Sequence, residues 1–106
     1  AVNELINRAV DHMNGEYPQG ISATEVCARL YLNRTYFSAL FKKHMGVSPG
    51  EYLSELRFGE ACRLLRQTSL PVEAVARAVG MNQNAFFKFF RARLGMTPGE
   101  YRKREE

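Results

Sequence analysis

The side chains in this sequence that could carry nucleophilic, general-base or metal-binding chemistry are few and scattered. His12 and His44 are isolated, and Cys27 and Cys62 stand 35 residues apart with no CxxC pair or supporting His cluster. No Ser/His/Asp set, paired-acid cluster or glycine-rich phosphate loop occurs. A catalytic or metal site has no ligand set or base to be built from, so no enzyme, metal or cofactor is expected, and both cysteines read as reduced packing residues. The chemistry that does recur is cationic. Residues 31–50 hold Arg34, Lys42 and Lys43 with no acid, and residues 83–95 hold Lys88, Arg91 and Arg93 with no acid. The acids lie elsewhere, among them Glu4, Asp11, Glu16, Glu25, Glu51, Glu55, Glu60 and Glu100. In a chain of net charge +4, two acid-free basic stretches suit a polyanionic partner.

The elements that must position those cations are helices. In "AFFKFFRARLG", residues 85–95, four phenylalanines fall within five positions. At about 100° per residue, Phe86, Phe89 and Phe90 share one face as a core stripe, while Asn84, Lys88 and Arg91 gather on the far side. Phe87 is left on the flank. The same design occurs earlier in the chain: a shift of 49 residues aligns 21–52 with 70–101 without a gap, laying "FSALFKKHMGVSPGEY" over "FFKFFRARLGMTPGEY". Phe37, Leu40 and Phe41 thereby match Phe86, Phe89 and Phe90, and the chain contains two copies of one supersecondary unit.

Each copy reads as two helices around a tight turn. In the first, Ser22 or Thr24 opens a helix through Leu30, and Asn33 caps another from Arg34 to Met45. In the second, Pro71 suits the first turn of a helix that Gly80 breaks, and Asn82 caps a helix spanning 84–94. Gly46 and Gly95 end the second helices. The spacing of a small residue (Cys27, Ala76), a turn residue four on (Tyr31, Gly80) and a large apolar residue six further (Phe37, Phe86) is that of a helix-turn-helix, in which the small side chain permits a close crossing. Tyr31 stands where the turn favours glycine, so it must carry strain or take another backbone path.

A helix over residues 2–14, stopping before Gly15, precedes the first copy with Leu5, Ala9, Val10 and Met13 on one face. A connector helix with Gly59 inside it links the copies, and a short last helix follows Pro98. The expected fold is all-α, with about seven helices arranged as two tandem helix-turn-helix bundles, 1–50 and 69–106, joined by a connector at 51–68. Bundles of this size are marginal alone and would lean on the connector. No stretch approaches a membrane span and no signal peptide opens the chain, which reads as cytoplasmic. Because it starts at Ala1 rather than Met, it reads as a segment of a longer protein.

These features, together with "YFSALFKKHMGVSPGEYLSELRFGEACRLL" and "VARAVGMNQNAFFKFFRARLGMTPGEYR", resemble the DNA-binding domain of AraC/XylS-type bacterial transcription regulators over nearly the whole chain. The resemblance implies sequence-specific binding of double-stranded DNA, with the second helix of each unit in successive major grooves. By position it makes Arg34, Thr35, Ser38 and Ala39 base-facing in the first unit, with Lys42 and Lys43 at phosphate. In the second, Gln83, Asn84, Phe87 and Lys88 face bases, with Arg91 and Arg93 at phosphate, and Arg57 of the connector takes a buried or phosphate-facing role. It further implies transcription regulation, as an activator or a repressor, with RNA polymerase as a partner and an effector or dimerisation domain on another part of the full-length protein.

The residue types fit that implication. Gln83 and Asn84 carry the paired donor and acceptor that matches adenine in the major groove, and Arg34 or Lys88 can read guanine. Phe87 either meets a thymine methyl or tucks against the neighbouring helix as a fourth core aromatic. The competing reading is a helical protein-interaction module whose basic faces meet an acidic partner. A third, a fragment of a cysteine-using DNA repair enzyme, lacks a base beside either thiol. An 18-residue connector spans roughly 27 Å, which with the flanking units suits two grooves about 34 Å apart.

Overall fold

Side-chain caps decide where most helices of this chain begin. In the computed structural model, which describes residues 2–106, Ser22 Oγ accepts the Glu25 N–H (3.1 Å) while the Glu25 carboxylate accepts the Ser22 N–H (3.2 Å). Thr97 and Glu100 form the same reciprocal pair. Asn33 and Asn82 each accept the N–H three residues on, from Tyr36 and Ala85. Each bond satisfies a donor that the first helical turn leaves unpaired.

The helices that result are α1 (Val2–Glu16), α2 (Ala23–Arg29), α3 (Arg34–Met45), α4 (Pro49–Gln67), α5 (Val72–Ala78), α6 (Gln83–Leu94) and α7 (Pro98–Glu105). A single 3₁₀ turn, Tyr17–Gln19, follows α1, and no strand occurs among the described residues. The all-α expectation holds. Gly46 and Gly95 end α3 and α6 in the left-handed conformation. Pro71 stands one residue outside α5, where its carbonyl accepts the N–H of both Ala74 and Val75.

The first helix differs from expectation in length and face. It runs through Gly15 to Glu16, and its fully buried stripe is Ile6, Ala9 and Met13, with Leu5 and Val10 half-buried at the flanks. The last turn is held because the Glu16 carboxylate meets His12 one turn back and Arg29 of α2. An exposed glycine there costs only about 1 kcal/mol.

The chain divides into two compact units, one ending at Leu56 and the other beginning at Arg57. The division falls inside α4 rather than at either end of a separate connector. In the first unit, α1, α2, α3 and the opening turns of α4 enclose Met13, Val26, Phe37, Phe41 and Leu53. In the second, Ala61 and Leu65 from the rest of α4 pack with Val75 and Ala76 of α5, Val79 just past it, and Phe86 and Phe90 of α6. Phe90 lies against Tyr101 of α7, with ring centroids 5.4 Å apart. Cys27 and Cys62 are buried free thiols.

Candidate nucleic-acid interface

Equivalent backbone bonds shape the two turns. The Tyr31 and Gly80 N–H groups donate to the carbonyls of Ala28 and Arg77, and the Leu32 and Met81 N–H groups donate to those of Cys27 and Ala76. This path requires a positive φ, which is 80° at Gly80 and 56° at Tyr31. Tyr31 therefore follows the glycine path rather than another one. The small residues are buried as expected, and the Cys27 thiol also donates to the Leu32 carbonyl at 2.9 Å.

Past the turn, α3 and α6 divide their faces alike. Phe37 and Phe41 are fully buried in one unit, and Phe86 and Phe90 in the other. Leu40 and Phe89 are half-buried, so the third member of each expected stripe lies at the core's edge. Phe89 meets Phe58 edge-on, with centroids 6.1 Å apart. Phe87 is half-buried as well, and the half-buried apolar side chains packed on this core are Phe58, Val72, Met81 and Tyr101.

The opposite faces carry the candidate residues. Arg34, Thr35 and Ala39 of α3 are exposed and Ser38 is half-buried, while Gln83, Asn84 and Lys88 of α6 are exposed. Arg34 is held in place: its Nη1 donates to Thr24 Oγ1 of α2 and its Nε to Ser38 Oγ at 3.3 Å. The sequence reading did not single out Thr24 for any role on this face. Its only signal was position, in the first turn of the helix preceding the turn. Lys42, Lys43, Lys88 and Arg91 are exposed and stand outside the ion pairs His12–Glu16, Arg29–Glu16 and Arg63–Glu60. Neither α3 nor α6 has an acid in its first turn.

Two other arginines are engaged inside the second unit. Arg93 lies over the Phe58 ring at 4.5 Å and over Phe89 at 5.7 Å. Arg57 is half-buried, and its Nε donates to the Val79 carbonyl (3.1 Å) at the end of α5. Burial lowers the Arg57 pKa. Glu60, one turn on, pairs with Arg63. Arg57 thus fastens the residue next to the second turn. Arg102 acts similarly at the end of α4, donating to the Leu65 and Thr68 carbonyls.

Among the described residues no His, Cys, Asp and Glu side chains gather as a metal site, and no helix is long and apolar enough to cross a membrane.

A helix-turn-helix domain family matches residues 26–104. The lactose operon transcription activator of Staphylococcus xylosus is 39% identical over 79 residues, a match covering 74% of this chain and 28% of that protein. The chain thus corresponds to little more than a quarter of that relative's length. Among solved structures, the C-terminal domain of AraT, a response regulator from Geobacillus stearothermophilus, is similar at a TM-score of 0.87 and 27% identity, covering 94% of this chain and 84% of that one. The DNA-binding domain of AdpA, a global transcriptional factor, in complex with a target DNA, is similar at 0.82 and 27%, covering 93% and 90%.

Proposed function

Because the chain belongs to the AraC/XylS-type helix-turn-helix family, we propose that it binds double-stranded DNA sequence-specifically through α3 and α6, each in one of two successive major grooves. The observation that carries this reading is the repeated division of those helices. Each buries two phenylalanines against its own core and turns an acid-free polar face outward. Arg34, Thr35 and Ala39 face bases in one half-site and Gln83, Asn84, Phe87 and Lys88 in the other, where amide, guanidinium and ammonium groups match the donors and acceptors of base edges. Lys42, Lys43, Arg91 and Arg93 neutralise phosphates, which position the protein without reading sequence. Arg57, assigned by resemblance to a buried or phosphate-facing role, acts through Val79 as a positioning residue.

Within a longer cytoplasmic protein, this domain directs transcription activation. Contact with RNA polymerase and control by an effector or dimerisation domain belong to that whole. Selection of bound sites from a random duplex library, with affinity measured against salt, tests the DNA-binding reading. Enrichment of an asymmetric site with two protected grooves is expected. Equal affinity for all duplexes would overturn the sequence-specific reading, and no affinity for duplex would favour a protein-interaction module.

A further inference from the structure

We propose that Thr24 and Ser38 are positioning residues that hold the Arg34 guanidinium for a guanine in the half-site read by α3. This rests on the DNA-binding reading above and adds a specificity device from α2, outside the reading helix.

A free arginine at the start of a helix samples many rotamers, and ordering it on binding costs affinity. Here two acceptors from different elements hold the same guanidinium: Thr24 Oγ1 at Nη1 and Ser38 Oγ at Nε. Arginine has five N–H donors and no acceptor. After these two bonds three donors remain, at least one on each terminal nitrogen, as a bidentate contact to guanine O6 and N7 requires. Arg34 is exposed and is the first residue of α3, so those donors are available at the end of the helix that leads into the groove. Ser38, a base contact by position, instead spends its hydroxyl oxygen on Arg34.

The internal repeat provides an independent observation. The positions matching Thr24, Arg34 and Ser38 in the second unit are Glu73, Gln83 and Phe87. All three members change together. The inter-helix pair Thr24–Arg34 is matched by Glu73–Gln83, while Ser38, the second acceptor for the guanidinium, is matched by Phe87, which has no acceptor at all. The trio is present or absent as a set, as expected of a device for reading one base.

The test uses the chain with duplexes varied one base pair at a time around its selected site, comparing wild type with Thr24→Val, Ser38→Ala, Arg34→Ala and the Thr24→Val/Arg34→Ala double variant. Arg34→Ala is expected to lose about 5- to 150-fold of preference for guanine at one base pair. Thr24→Val and Ser38→Ala should each lose about two- to tenfold at that same base pair. Their affinity for unrelated duplex and their melting temperature should stay at the wild-type value. The double variant should discriminate no worse than Arg34→Ala alone. An effect of Thr24→Val that persists without Arg34, that is equal for all sequences, that follows a lowered melting temperature, or that is absent would overturn the inference while leaving DNA binding intact. Failure of the wild-type chain to bind duplex DNA would sink both readings.

Discussion

Replacing Tyr31 by glycine removes an entire aromatic side chain and is expected to stabilise the fold. The ring is 96% exposed, so its deletion returns almost no apolar surface to water. The backbone, however, is held at φ 56°, where an L side chain crowds the following carbonyl at a cost of about 1–2 kcal/mol. Glycine avoids that cost but loses more chain entropy on folding, about 0.5–1 kcal/mol. The balance favours Tyr31→Gly by about 0.5–1 kcal/mol, a rise in melting temperature of about 2–8 °C for a domain of this size. Tyr31→Ala is the control: it removes the same ring, keeps the Tyr31 N–H bond to Ala28, and retains the left-handed penalty. The difference between the two variants, read in thermal and urea melts followed by helix circular dichroism, isolates the backbone contribution. If the glycine variant melts at or below the alanine variant, the strain argument for this turn is wrong. The reverse substitution, Gly80→Ala at φ 80°, should by the same balance cost about 0.5–1 kcal/mol.

Phe86→Ala should cost about 3–5 kcal/mol, as a fully buried aromatic does, whereas Phe87→Ala should melt nearly as wild type and lose about 1–3 kcal/mol of thymine preference at one base pair; equal melting losses would make Phe87 core. The four exposed cations assigned to phosphate, Lys42, Lys43, Arg91 and Arg93, predict a slope of log K against log salt of about −4, and a slope near zero would remove DNA as the partner. Arg57→Gln should lower the melting temperature by leaving the Val79 carbonyl without this donor, at about 1–3 kcal/mol, while the salt slope stays unchanged; a slope reduced by about one would return Arg57 to the phosphate. The Glu16 carboxyl is held below the usual carboxylate range, first by the Arg29 hydrogen bond and then by His12. Its stabilising contribution is therefore present above the unfolded-state pKa and lost as pH falls through the folded value, so Glu16→Gln should flatten the acid side of a melting-temperature profile below about pH 5.

Helix starts were legible in the sequence wherever a side chain caps the backbone, because an Asn, Ser or Thr three residues before an unpaired N–H is a local signal. Asn33, Asn82 and Ser22 all act as caps. The end of α1 was not legible, because what holds Gly15 in the helix is the Arg29–Glu16 contact between residues 13 apart in sequence. Periodicity placed Phe86 and Phe90 in the core but could not grade Phe89, since depth at the edge of a stripe depends on the neighbouring element, here Phe58 of α4. The same limit applies to the candidate site. Wheel positions separate an outward face from an inward one, but they do not show that Arg34 is shared between Thr24 and Ser38 or that Arg57 is turned onto Val79. Long polar side chains choose partners across elements, and periodicity within one helix carries no information about them.

The two copies diverge where base reading is assigned and agree where the fold is made. Framework pairs keep their type: Asn33 and Asn82 cap, Phe37 and Phe86 and then Phe41 and Phe90 are fully buried, Gly46 and Gly95 end their helices, and Pro49 and Pro98 are buried. The outward pairs all differ: Arg34 against Gln83, Thr35 against Asn84, Ser38 against Phe87, Ala39 against Lys88. The like core of each unit favours a match in the first set, because close-packed interiors tolerate little change of volume. Six of these eight side chains are exposed, where core packing does not set their type, and their divergence fits the proposal that the two faces meet different bases. Guanidinium against carboxamide selects different base edges, as the proposed reading of two unlike half-sites requires. A site built from two copies of the α3 half-site should lose the preference that α6 supplies, about 1–3 kcal/mol for each base pair it reads. Equal binding to the natural-order and duplicated sites would mean that α6 contributes phosphate contacts and no sequence reading.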